Sequence, residues 1–165
     1  MNNAAFSIFI TSVRPKLYRF CFSLLKRRDA AEDVVQEVGL RLWKGVSLGN
    51  GHPHPEAFAM CTAKNLCIDL LRKNNLRNGF IAEKTDLFAP TPHLILEEKD
   101  MHELICKLID QLPVQQQMCI RLRDVEGYEF DEIAKILECE EGSVRTTLSR
   151  ARKKIREQIS QLWKQ

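Results

Sequence analysis

Residues able to read DNA fall on one predicted helix, Glu141–Trp163. Val144, Leu148, Ala151 and Ile155 recur there at spacings of three and four, which puts them on one face. Successive residues advance by about 100°. The opposite side therefore carries Thr146, Ser149 and Lys153, flanked by Arg145, Arg150 and Arg156. Arginine can grip guanine through two hydrogen bonds, and serine and threonine can donate or accept at base edges or phosphates. Arg152, Lys153 and Lys154 can follow the phosphate backbone. A basic amphipathic helix can equally lie on a protein surface or an acidic membrane, but neither use needs a partner helix in front of it. One is predicted here: Phe130, Ile133, Ala134 and Leu137 share a face over Phe130–Leu137, and the short stretch Glu138–Glu141 follows. Two short helices joined by a tight turn make a helix-turn-helix, and DNA recognition is the favoured reading.

Two further faces have chemistry to offer. Between Asp29 and Val38 there are four acids and no base, directly after six bases and no acid from Arg14 to Arg28. Ala31, Val34, Val35, Val38 and Leu42 form an inner face, leaving Asp33, Gln36, Glu37 and Leu40 outward with Lys44. An acidic, partly apolar surface suits docking on a basic partner helix, although solvation alone would also account for it. In the next helix Thr62, Asn65, Asp69 and Arg72 form a polar stripe with Lys64 and Lys73 beside it, and an intrahelical Asp69–Arg72 pair is expected.

The elements that must position these faces are helices throughout. Periodicity predicts them at Ala4–Lys26, Ala30–Lys44, Pro55–Leu76, Leu94–Gln111, Val114–Glu126, Phe130–Leu137 and Glu141–Trp163, and no segment alternates with period two for long. Residues 45–55 are uncharged and hold Gly45, Gly49, Gly51, Pro53 and Pro55, which reads as a loop. Residues 78–94 lack periodicity and hold Gly79, Pro90 and Pro92, which reads as a flexible linker. The expected fold is all-α: two small helical domains, 1–77 and 95–165, joined by the linker 78–94, with the helix-turn-helix in the second.

Composition agrees with a soluble globular protein: of 165 residues 44% are hydrophobic and 28% charged, and 25 Lys+Arg against 22 Asp+Glu leave a net charge of +3. That net charge is too small to identify a nucleic-acid binder; the segregated blocks carry the information. No apolar run approaches the ~18 residues of a membrane span, and the N-terminal residues have neither a basic flank nor a small-residue cleavage site, so a cytoplasmic chain without a targeting segment is expected. The six cysteines sit in apolar-periodic stretches without a C-x-x-C pair and are expected as buried free thiols. His52, His54, Cys61 and Cys67 match no common zinc spacing, so no metal is expected. No cofactor motif appears, and neither phosphate-binding glycine loops nor a nucleophile elbow is present.

The residues resemble a known family. Leu112-Pro113 with Gln115-Gln116-Gln117, then Leu122-Arg123, Glu126-Gly127-Tyr128, Asp131-Glu132-Ile133-Ala134, Gly142-Ser143-Val144-Arg145 and Ser149-Arg150-Ala151-Arg152-Lys153-Lys154-Ile155-Arg156, are similar to the promoter-binding C-terminal domain of bacterial sigma factors of the small extracytoplasmic-function group. The resemblance implies base contacts in the minus-thirty-five element for Arg145, Thr146, Ser149 and Arg150, and phosphate contacts for Arg152 and Lys153. Asp29-Ala30-Ala31-Glu32-Asp33-Val34-Val35-Gln36-Glu37-Val38 resembles the helix that grips the β′ coiled coil of RNA polymerase, implying a core-binding role for Asp33, Gln36 and Glu37. Ala63–Lys73 resembles the element that binds the non-template strand of the minus-ten region. A pocket for a flipped base is expected from loop 45–55 with Phe58, Asn65 and Arg72, and Lys73 is expected beside it on the DNA.

The chain departs from the family pattern at four positions. Glu138 stands where glycine is usual in the turn, Glu129 where Ser or Thr is usual, Gly39 where a bulky apolar residue is usual, and Phe58 where tryptophan is usual. The resemblance implies a factor that recruits core polymerase, through its β′ and β subunits, to promoter DNA and helps melt it. It implies no catalysis by the chain itself and an anti-sigma protein as a further partner. The alternative is a stand-alone helix-turn-helix regulator binding operators as a dimer, which would not need the acidic face at Asp33 and Glu37. A nuclease ranks third, because no metal-binding carboxylate cluster can be assembled.

Overall fold

The computed structural model describes residues 2–77 and 98–164; the expected linker 78–94 and the first residues of the expected fourth helix lie outside them. Every regular element among the described residues is helical. They group into two compact units: one holds the residues up to 77 together with Asp131–Cys139, the other those from 98 to Phe130 together with those from Glu140 onward.

In the first unit α1 (Asn3–Leu25), α2 (Arg28–Ser47) and α3 (Pro55–Arg77) pack pairwise on one another. Asn2 caps α1, its side chain accepting from Ala5 N–H at 2.8 Å, and Lys26 ends it in the left-handed conformation with φ 59°. The core takes Val13, Leu17, Phe20, Cys21 and Leu24 from α1 and Ala59, Met60, Ala63 and Cys67 from α3. From α2 it takes Ala31, Val34, Val35, Val38 and Leu42, the five residues predicted as its inner face. At the start of α3, Pro55 occupies a position where its missing N–H costs nothing, and Phe58 N–H donates to His54 O at 3.0 Å. Most of α6 (Phe130–Leu137) belongs with this unit, burying Ile133 and Ile136. It is followed by Glu138 at φ 56°, a left-handed residue that is not glycine.

The second unit contains α4 (Glu98–Asp110), α5 (Val114–Ile120), a π-helical turn (Arg121–Val125) and α7 (Glu141–Trp163). Met118, Cys119, Ile120 and Leu122 are buried, as are Val144, Leu148 and Ala151 of α7, against which α5 packs. The turn into α5 is tied by the Gln117 amide, which donates to Asp110 O at 3.0 Å and Leu112 O at 2.8 Å, and by an Arg121–Asp110 pair at 2.7 Å.

Three expectations need correcting. The single helix Val114–Glu126 is instead α-helical to Ile120 and then widens, with Glu126 N–H donating five residues back to Arg121 O at 2.9 Å. In a regular helix Val125 would follow Met118 and Leu122 onto the buried face; the wider turn sends it outward, 56% exposed. The thiols are free, but only Cys21, Cys67 and Cys119 are buried; Cys139, just past the end of α6, is exposed. The Asp69–Arg72 pair is not formed, and both side chains project into solvent.

Candidate nucleic-acid interface and docking face

On α7 the six expected DNA-contacting residues are all exposed, as the three-and-four spacing of Val144, Leu148 and Ala151 requires. They divide into two groups. Arg145, Ser149 and Arg152, with Arg156, lie along one line of the helix and form one side of a shallow cleft of about 280 Å³ completed by Phe130 and Leu148. The Arg145 guanidinium sits 4.1 Å from the Phe130 ring centroid and donates to Glu141 at 2.8 Å, so its head is oriented before any ligand arrives. Arg123 lies 4.8 Å from the same ring and donates to Tyr128 O at 2.8 Å. Arg152 is clamped by Asp124 of the π-turn: Nε donates to Oδ2 at 3.1 Å and Nη2 to Oδ1, which strengthens its hold on its proton.

Thr146, Arg150 and Lys153 lie outside the cleft, on the outward arc. Thr146 Oγ1 donates to Gly142 O at 3.0 Å within its own helix, and Lys153 stands 3.9 Å from Glu157. Among the described residues, no carboxylate engages Arg150. The basic surface therefore holds preoriented guanidiniums at the cleft and an uncommitted one on the arc.

On α3, Phe58, Asn65 and Arg72 are spaced by seven and fall on one line, with Lys73 exposed beside it. From Phe58 to Arg72 the helix rises about 21 Å, so these residues are strung along the helix rather than gathered in one pocket. Asn65 is exposed, its amide lightly held by Cys61 Sγ at 3.8 Å. Two members of the expected polar surface turn inward. Thr62 is buried, its hydroxyl donating to Phe58 O at 2.8 Å, and Lys64 is 5% exposed and donates to Glu138 at 2.9 Å. That bond holds the Glu138 carboxyl below its usual value of 4.5.

Loop 45–55, expected to help form the pocket, brings a second ring to this region. The His52 imidazole stacks on Phe58, centroids 3.6 Å apart and planes at 15°. Among the described residues, no group of three His, Cys, Asp or Glu gathers as a metal site.

On α2, Asp33 and Gln36 are exposed, Glu37 is half-buried, and Leu40 presents 55% of its surface. Arg41 donates to Glu37 at 2.7 Å, so the two carboxylates differ: Glu37 is partly neutralised within its helix, whereas no described cation pairs with Asp33. Trp43 borders this surface, packed on Phe6 at 5.1 Å between centroids.

Comparison with known proteins gives concordant results. Residues 9–77 match the family model for Sigma-70 region 2, and residues 102–155 match that for Sigma-70, region 4. The chain is 26% identical over 165 residues to the ECF RNA polymerase sigma factor SigX of Bacillus subtilis, covering 95% of this chain and 84% of that protein. It is 23% identical over 173 residues to the ECF RNA polymerase sigma-E factor of Escherichia coli K12, covering 96% and 88%. Its fold is similar to that of the sigma factor RpoE solved with the anti-sigma factor NepR from Bartonella quintana, with a TM-score of 0.72, 24% identity, and 94% and 97% of the two chains covered. It is also similar to that of CnrH solved with the cytosolic domain of CnrY, with a TM-score of 0.68, 18% identity, and 96% and 90% covered.

Proposed function

The chain belongs to the sigma-70 family, in its extracytoplasmic-function group, and from that membership we propose how its exposed surfaces divide the work of initiation. As a sigma factor it binds core RNA polymerase and directs it to promoter DNA. Arg145, Thr146, Ser149 and Arg150 read the minus-thirty-five element while Arg152 and Lys153 hold phosphates. Phe58, Asn65, Arg72 and Lys73 follow the opened minus-ten strand, and Asp33, Gln36 and Glu37 dock on the β′ coiled coil. RNA synthesis belongs to the polymerase, and the chain works beside it in the cytoplasm. No helix among the described residues is long and apolar enough to cross a membrane. RpoE and CnrH were solved with NepR and with the cytosolic domain of CnrY, and this chain is likewise held by an anti-sigma partner.

The observation that supports this reading best is the segregation of charge onto opposite tasks. Basic groups face solvent along α7 within the region 4 match, and an uncompensated acid faces solvent on α2 within the region 2 match. A stand-alone regulator would have no use for the second. Transcription of a genomic fragment library by core polymerase should yield discrete start sites only when this chain is added; core alone giving the same starts would reject the reading.

Two expected results follow from the geometry. Asp33→Ala should weaken association with core polymerase by about 1 kcal/mol, roughly fivefold, with Glu37→Ala having a smaller effect because Arg41 already engages that carboxylate. A pull-down titration in which Asp33→Ala binds core like the wild type would sink the docking assignment. Phe58→Ala and Asn65→Ala should each cost strand opening about 1 kcal/mol while closed-complex formation stays near normal, since only an unstacked base needs those groups. Permanganate footprinting at limiting temperature reads this directly, and unchanged thymine reactivity in both variants would count against it.

A further inference from the structure

We propose that His52 is a built-in placeholder for the flipped base: its imidazole occupies the face of Phe58 that a base must stack on, and it has to leave before the strand can be held. This rests on the assignment of Phe58 to the minus-ten site. The rings lie 3.6 Å apart at 15°, which is a single stacking contact. Inserting a base between them would need about 7 Å, two such contacts. His52 is therefore not the far wall of a ready-made slot; the flat heteroaromatic ring is already seated there in place of the ligand.

The loop around it is built to present the ring and to release it. On the C-terminal side, Pro53 restricts the backbone of His52 to extended conformations, and the chain is anchored at the start of α3 by the bond from Phe58 N–H to His54 O at 3.0 Å. On the N-terminal side, Asn50 N–H donates to Gly45 O at 2.9 Å, Gly49 has φ 74°, and Gly51 has open space around it. Release thus requires only side-chain rotation or movement at the glycines, and leaves α3 undisturbed. His52 itself is exposed, so the displaced imidazole goes into water without a buried partner being orphaned.

A competitor inside the protein lowers the apparent affinity for every base by the same factor, the fraction of molecules in which Phe58 stands uncovered. The site then ignores stray single strands and accepts one presented by the melting promoter.

The test uses holoenzyme assembled from core polymerase and the full chain, titrated with single-stranded ten-mers containing one 2-aminopurine, whose fluorescence drops on stacking; core alone gives the background. His52→Ala should tighten binding about two- to tenfold, the range of one aromatic pair, equally for oligonucleotides of different sequence. His52→Phe should restore the weaker binding. Looser binding in His52→Ala would make His52 a contact to the base, and unchanged binding would make the stack irrelevant; either overturns the proposal. Phe58→Leu separates this from the underlying assignment. If that variant binds like the wild type, the minus-ten role of Phe58 fails and the proposal with it. If it binds more weakly while His52→Ala is neutral, the role of Phe58 stands and only the placeholder is lost.

Discussion

Arg150→Ala should cost about 1–3 kcal/mol on the preferred minus-thirty-five sequence, up to roughly a hundredfold in affinity, and should relax discrimination at one base pair. Arg150 is the sharpest probe of the recognition helix because its guanidinium is exposed and no described carboxylate competes for it. Lys153→Ala should behave differently: it should weaken binding to all sequences about equally and flatten the log-log salt dependence by about 1 unit, since releasing one fewer counterion is blind to sequence. Arg145 and Ser149 should follow Arg150. Arg152 should follow Lys153 but less cleanly, because its removal also strips the Asp124 clamp from the π-turn. Affinities for matched and mismatched sites across a salt series decide the matter. If Lys153→Ala changes base preference while Arg150→Ala does not, the helix is rotated in the groove.

Glu138→Gly should destabilise the protein even though it removes a left-handed non-glycine residue. Relief of the φ 56° backbone is worth about 1 kcal/mol. Against this, Lys64 is 5% exposed and would lose the carboxylate it donates to, at a cost of about 1–3 kcal/mol. The lower part of that range applies if water reaches the ammonium through the space left by the Glu138 side chain, which is 61% exposed. The double variant Lys64→Met with Glu138→Gly removes both partners and the strain, and should be at least as stable as the wild type. Urea titrations of the two variants separate the outcomes; a Glu138→Gly protein more stable than the wild type would show that the ion pair contributes less than the turn costs. The pair also sets a pH dependence. Because the folded carboxyl lies below 4.5, its contribution is fully present above that value and is lost as the pH falls through the folded one.

Amphipathic helices were readable in detail wherever one stripe alone meets the core. The bounds Phe130–Leu137 and Glu141–Trp163 coincide in sequence and structure, and the inner face of α2 was complete, because a period of three to four leaves no other way to bury those residues. Periodicity misplaces a polar side chain that has a local alternative to solvent. Thr62 returns its hydroxyl to a carbonyl one turn back, and Lys64 meets a carboxylate 74 positions away. Neither is visible in a pattern of polar and apolar letters. Asp69 and Arg72 have the right spacing for a pair, yet exposed partners gain too little from pairing to hold the geometry. His52 shows the limit at the site itself. Its ring on Phe58 depends on how loop 45–55 closes, which composition marks as a loop but does not shape.

The widened turn at Arg121–Val125 has a consequence for what changes this stretch of chain can absorb. A π-turn carries one residue more than the α-turn it replaces, and here the surplus directs Asp124 onto Arg152 while Leu122 stays buried. One of its letters is negotiable: Val125 is 56% exposed, and polar residues fit there. Its count is not. Losing one residue would close the turn to an ordinary α-helix and swing everything after it by about 100°, parting Asp124 from α7 and turning the approach to Gly127 away from its left-handed bend at φ 79°. Among natural variants of this protein, substitutions should therefore accumulate at Val125 while insertions and deletions across 121–125 are rejected, as if the helix kept its register by counting.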